Sequence, residues 1–212
     1  MRSRHARHTL PLIALALAGA LSLGACATTS SGGPAAAPAT QGEGAAAHQR
    51  SALTAADFHP LAIGNRWTYR GAMAGQSLER SVTIRGVEQG FFVDDANGRL
   101  KVDAEGLRDD KRYLLKNPVA RGQRWMAVLS VTSTERYEIV ETGLTIDTPR
   151  GRFENCVQVR AQNRIDADRA LESEWSYAPG VGIVRMETRL RDGERVIPQA
   201  LIELTDFRIE KQ

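Results

Sequence analysis

The sequence predicts an all-β domain, a single curved antiparallel sheet or partial barrel of about nine to eleven strands, behind an export signal and a tether. Three observations predict it. From Phe58 onward apolar and polar residues alternate, with frequent β-branched and aromatic residues. Turn signals recur at roughly 8–12 residue intervals. No stretch of the domain holds the 3.6-residue period of an amphipathic helix.

The first element is the leader. Arg2, Arg4 and Arg7 precede an apolar run from Leu10 to Leu23, and no acidic residue occurs before Glu43. The run is shorter than the roughly 20 residues of a membrane-spanning helix and has the charge and small-residue ending of a secretory signal over residues 1–25. Leu23-Gly24-Ala25-Cys26 resembles the lipobox of bacterial lipoproteins. That resemblance implies cleavage before Cys26 and acyl chains such as palmitate on Cys26. With Ala27 rather than Asp after the cysteine, it implies sorting to the outer membrane, the domain facing the periplasm. Several acyl chains on one residue make attachment effectively permanent. The alternative is an ordinary secretory signal with an incidental cysteine.

Residues 26–50 are rich in Ala, Thr, Ser, Gly, Pro and Gln. With little to bury, such a stretch cannot offset its own ordering entropy and reads as a flexible tether. Ala46–Ala56 is compatible with a helical turn. Residues 51–212 form the domain.

Charge excludes some partners. The chain has 28 Lys+Arg and 25 Asp+Glu. Three of the arginines belong to the leader, so the mature chain is balanced at 25 of each sign. No clustered basic face points to nucleic acid or to a polybasic membrane contact. With Cys26 acylated, Cys156 has no cysteine to pair with, so the domain depends on its core alone.

The strands follow in order. Trp67–Arg70, Val82–Arg85, Tyr137–Val140, Cys156–Arg160, Glu174–Tyr177, Ile183–Thr188 and Ala200–Leu204 all alternate. Between them stand Ala96-Asn97-Gly98, Ala104-Glu105-Gly106, Pro149-Arg150-Gly151, Asp166-Ala167-Asp168 and Arg191-Asp192-Gly193, of which Asn-Gly and Asp-Gly supply the positive φ of tight hairpin turns. Pro60-Leu61-Ala62-Ile63-Gly64-Asn65-Arg66-Trp67 is echoed by Pro118-Val119-Ala120-Arg121-Gly122-Gln123-Arg124-Trp125, with Pro, Ala, Gly, Arg and Trp at matching offsets. The echo suggests two related halves, or one strand entry used twice.

Three segments carry a family resemblance. Pro60-Leu61 with Gly64–Tyr69, Thr148–Cys156 and Trp175–Val184 together resemble the DUF3108-like, or TapB-like, β proteins of the bacterial envelope. The resemblance implies a strongly curved antiparallel sheet. It brings no activity and no catalytic residue. Arg150 departs from the pattern, which favours a small residue there.

Candidate chemistry is sparse. Tyr177–Gly182 is glycine-rich, but a phosphate cradle needs a following helix, and Ile183–Met186 reads as a strand. Pro179-Gly180 suits a type II turn, and Gly182 permits close approach of another backbone. His59 is the one histidine of the domain, which leaves no material for a histidine metal site or triad; it is expected on the surface before a turn. Cys156 is expected as a buried small hydrophobe. Asp94-Asp95 and Asp109-Asp110 are expected to serve turns, because neighbours on a strand face opposite ways. Trp67, Trp125 and Trp175 are expected to pack the core or, in an open half-barrel, to line an apolar groove.

These observations lead to a non-catalytic, lipid-anchored binding or assembly module of the envelope, without metal or cofactor. Its partner would be an envelope protein, a lipid or a glycan. The alternatives are a carrier of amphiphiles in a concave groove and a hydrolase of envelope polymers. An apolar concavity would favour the carrier, a filled core the assembly module.

Overall fold

The structure is a computed structural model that describes residues 53–210. Leu23, Gly24, Ala25, Cys26 and the tether lie outside the described residues. Twelve strands form one antiparallel sheet: β1 (Arg66–Met73), β2 (Gln76–Glu88), β3 (Phe91–Asp94), β4 (Arg99–Asp103), β5 (Gly106–Arg108), β6 (Tyr113–Lys116), β7 (Arg124–Ser130), β8 (Ser133–Thr148), β9 (Gly151–Arg164), β10 (Arg169–Ala178), β11 (Gly182–Asp192) and β12 (Arg195–Arg208). One helical turn, α1 (Ala55–Phe58), precedes them.

All seven alternating segments lie within strands, and every punctuated stretch falls at a turn. The count exceeds the expected nine to eleven because residues 91–116 fold into four strands of only three to five residues. Runs that short are too brief to register a period.

The order across the sheet is β6-β5-β4-β3-β2-β1-β12-β11-β10-β9-β8-β7. Strands therefore pair with their neighbours in the chain except where β1 meets β12, and the two edges are β6 and β7. The sheet curls until those edges face each other in a nearly closed barrel. Across the seam the Trp125 indole N–H donates to the Tyr113 carbonyl (2.8 Å), and Arg112 pairs with Glu135. Curling in this way protects edge backbone that would otherwise be free to pair with another chain.

The sequence echo has a structural counterpart. Gly64 N–H donates to Ile84 O (3.0 Å), Asn65 N–H to Ala62 O (3.1 Å), and Ile84 N–H to Asn65 O (2.9 Å). In the second copy Gly122 N–H donates to Ile139 O (2.8 Å), Gln123 N–H to Ala120 O (3.1 Å), and Ile139 N–H to Gln123 O (2.9 Å). Gly64 and Gly122 take φ of 95° and 84°, a region open to glycine at little steric cost. The sheet is thus two six-stranded meanders, β1–β6 and β7–β12, each beginning with the same loop. The first strand of each lies beside the last strand of the other, with full pairing at β1–β12 and the seam at β7–β6.

The halves differ in strand length. Tyr137, Ile139, Val157, Val159, Tyr177 and Val184 are buried in the second half, as Ile84, Leu107 and Leu115 are in the first. The strands of the second half run from 7 to 16 residues. In the first half β3–β6 have only three to five.

Candidate functional site

The site is built mainly on β1 and β2. On β2 the residues Leu78, Arg80, Val82 and Ile84 share one face by the two-residue period of a strand. Opposite them on β1, Trp67 pairs with Val82, Tyr69 with Arg80 and Gly71 with Leu78. Ile202 of β12 and Ile183 and Met186 of β11 continue this concave surface, while Phe92 of β3 and Leu100 of β4 complete the lining. Together they enclose a cavity of about 360 Å³. That is within the range of small-molecule sites, about 300–1,000 Å³.

The lining is apolar with few exceptions. Arg80 is exposed, and its guanidinium reaches only the Ala96 carbonyl, at 3.5 Å, a long contact for a hydrogen bond. Asp94 is held in its own turn, accepting the N–H groups of Ala96 (2.8 Å) and Gly98 (2.7 Å). The Tyr69 hydroxyl donates to Ile183 O (3.1 Å), and burial and the neighbouring Tyr177 raise its pKa far above the ordinary phenol value.

His59 corrects the expectation of a surface histidine. It is 4% exposed because α1 and the Pro60 turn fold it beneath the β10–β11 connection. Its ring stacks on Trp67 with centroids 5.2 Å apart and meets Tyr177 edge-on at 6.3 Å. Burial pushes its pKa down to about 4, so the imidazole is neutral at pH 7. His59 Nδ1 is the one buried side-chain nitrogen or oxygen among the described residues without a hydrogen-bond partner. Gly182 admits the ring: a Cβ there would stand 2.7 Å from His59 Nδ1 and 3.1 Å from Trp67 Nε1. The close approach foreseen at Gly182 is therefore by two side-chain rings rather than by another backbone. Pro179-Gly180 does form a turn of type II character, with Gly180 at φ 70° and Val181 N–H donating to Ala178 O (3.2 Å).

Two solved structures are similar to this chain. One is a protein from Bacteroides fragilis described as exported and as having a YmcC-like fold, 16% identical, with a TM-score of 0.42 over 72% of this chain and 99% of the other. The second is described as a lipoprotein, from Parabacteroides distasonis, 15% identical, with a TM-score of 0.40 over 72% of this chain and 98% of the other. No protein-family model matches the chain, and no curated protein does.

The three tryptophans separate. Trp67 lines the cavity and donates its indole N–H to Val181 O (2.6 Å). Trp125 and Trp175 flank Tyr137 in a stacked ladder, with centroids 5.2 Å and 6.4 Å from it, and neither lines the cavity. Cys156 is fully buried, and desolvation pushes its thiol up to about 11, which leaves little thiolate at neutral pH. The paired aspartates serve turns: Asp95 accepts Thr83 N–H and pairs with Arg85, and Asp109 accepts the N–H groups of Lys111 and Arg112. Among the described residues, no three of His, Cys, Asp and Glu gather in a metal-binding arrangement.

One charged cluster escaped the sequence reading. Glu172, 3% exposed, lies within 3.8 Å of Arg160, 3.1 Å of Arg189 and 3.0 Å of Arg191, while Glu174 pairs with Arg160 and Arg189. Burial alone would raise the Glu172 carboxyl, but the Arg191 hydrogen bond and the surrounding guanidinium charges hold it below its ordinary range. These side chains alternate with Trp175 and Tyr177, so they clamp β9, β10 and β11 from the outer face. Cross-strand register alone brings them together, which a single sequence does not display.

Proposed function

We propose that this chain is a membrane-tethered, non-catalytic binding protein of the bacterial envelope that holds the apolar part of an amphiphile between β1, β2, β11 and β12. The observation that carries the reading is the cavity of about 360 Å³, apolar in all but a few of its lining groups and walled by residues of β1, β2, β3, β4, β11 and β12. The lipobox-like Leu23–Cys26 supports a tether of acyl chains on Cys26, and Ala27 supports the outer membrane with the domain in the periplasm. The DUF3108-like segments are compatible with such an envelope role.

Two experiments test the two parts. Leu78→Trp and Val82→Phe place extra volume in the cavity at half-buried positions. Each should abolish fluorescence enhancement of the neutral probe N-phenyl-1-naphthylamine while leaving the β circular dichroism spectrum intact; undiminished probe binding would contradict the site. Cys26→Ala should abolish incorporation of labelled fatty acid and shift the protein out of the membrane fraction. Unchanged labelling would end the lipoprotein reading.

A further inference from the structure

Resting on the cavity reading, we infer that the ligand is a single-chain amphiphile with an anionic headgroup, and that Arg80 at the cavity's edge is the group that recognises it. Three observations meet at this residue. Arg80 stands in the inward row Leu78, Arg80, Val82, Ile84, where the alternation of β2 would otherwise place an apolar side chain. It is the one Lys or Arg among the residues lining the cavity. It also forms no salt bridge; Arg108, Arg136, Arg152, Arg164 and Arg195 share that trait among the described arginines, but none of them lines the cavity.

A guanidinium presents a planar fork of donors that matches a carboxylate or phosphate in two parallel hydrogen bonds. In Arg80 that fork is occupied only by the 3.5 Å contact to Ala96 O. The one carboxylate of the lining, Asp94, accepts two backbone N–H groups of its own turn on Oδ1 and forms no salt bridge with Arg80. Leu78 and Val82 flank Arg80 on the same face, so a head paired with Arg80 lets the attached chain run along Val82 and Ile84 toward Trp67. A volume of about 360 Å³ is near the lower end of small-molecule sites, which suits one hydrocarbon chain better than two. Carboxylate and phosphate heads share the chemistry, so the test carries both.

The full-length chain with Cys26→Ser, which lacks the acylated sulfur, is titrated with hexadecanoate, 1-hexadecanoyl-glycerol phosphate, hexadecanol and hexadecylamine, each displacing N-phenyl-1-naphthylamine. The wild-type domain should prefer the two anions over hexadecanol by about tenfold, the size of one charge-assisted hydrogen-bonded contact. Arg80→Ala should erase that preference, bringing both anions to the affinity of hexadecanol. Arg80→Lys should keep part of it, and Arg80→Glu should turn it toward hexadecylamine. The stronger of the two anions identifies the head. Equal binding of anion and alcohol by the wild type, or an anion preference that survives in Arg80→Ala, overturns the inference while the cavity reading stands. Failure of the neutral probe and of hexadecanol to bind overturns both. Arg80 is exposed and unpaired, so its variants should keep the wild-type thermal midpoint, which is recorded alongside each titration.

Discussion

His59 couples the entrance of the domain to its core, and its burial has a consequence for pH. Its folded pKa of about 4 lies below the ordinary value of 6.5. Between those values the unfolded chain binds a proton that the folded chain refuses. Stability from this residue is therefore complete above pH 6.5, declines as pH falls through the window, and is fully lost below about 4. The difference of pKa corresponds to about 3 kcal/mol. Urea denaturation at pH 7 and at pH 4.5 should show a larger loss for the wild type than for His59→Phe, which keeps an aromatic ring against Trp67. Equal losses in both would mean that the ring is protonated or solvated in the fold. The sequence displayed a lone histidine before a proline, a pattern that reads as surface. Only the return of β10–β11 across it, through Gly182 more than 120 residues later, buries it. Cys156, by contrast, was legible, because apolar neighbours in an alternating strand define its burial locally.

At the scale of elements, the strands that alternate over many residues could be read directly, and those whose partners lie far away or whose runs are short could not. Val157, Val159 and Tyr177 declare an inner face through their spacing. Phe91–Asp94 and Gly106–Arg108 carry too few residues for a pattern to show, although Asn97-Gly98 and Glu105-Gly106 mark the turns beside them. The seam is a further element-scale feature outside the reach of sequence. Trp125→Phe removes the indole hydrogen bond to Tyr113 O while retaining the stack on Tyr137. It should cost about 1 kcal/mol. Hydrogen exchange should accelerate in 113–116 and 124–130, with protection at the β1–β12 pairing unchanged. Exchange that rises uniformly would show that the seam is no separate unit.

At the largest scale, the described residues form a repeated six-stranded meander whose first copy has the shorter strands. The shared loop was visible as the match of Pro60–Trp67 to Pro118–Trp125, and its hydrogen bonds repeat in both copies. The difference in strand length between the halves could not be read from the echo. Trp67 and Trp125 open equivalent strands, yet of the two only Trp67 lines the cavity. The most direct test of this account is native mass spectrometry of the Cys26→Ser protein, wild type at every other position and purified without detergent from its own host, followed by extraction of what it holds. A retained single-chain amphiphile, present in this protein and missing once Leu78→Trp is added, is the predicted result. A bare polypeptide mass together with equal, featureless spectra with and without Leu78→Trp would contradict it.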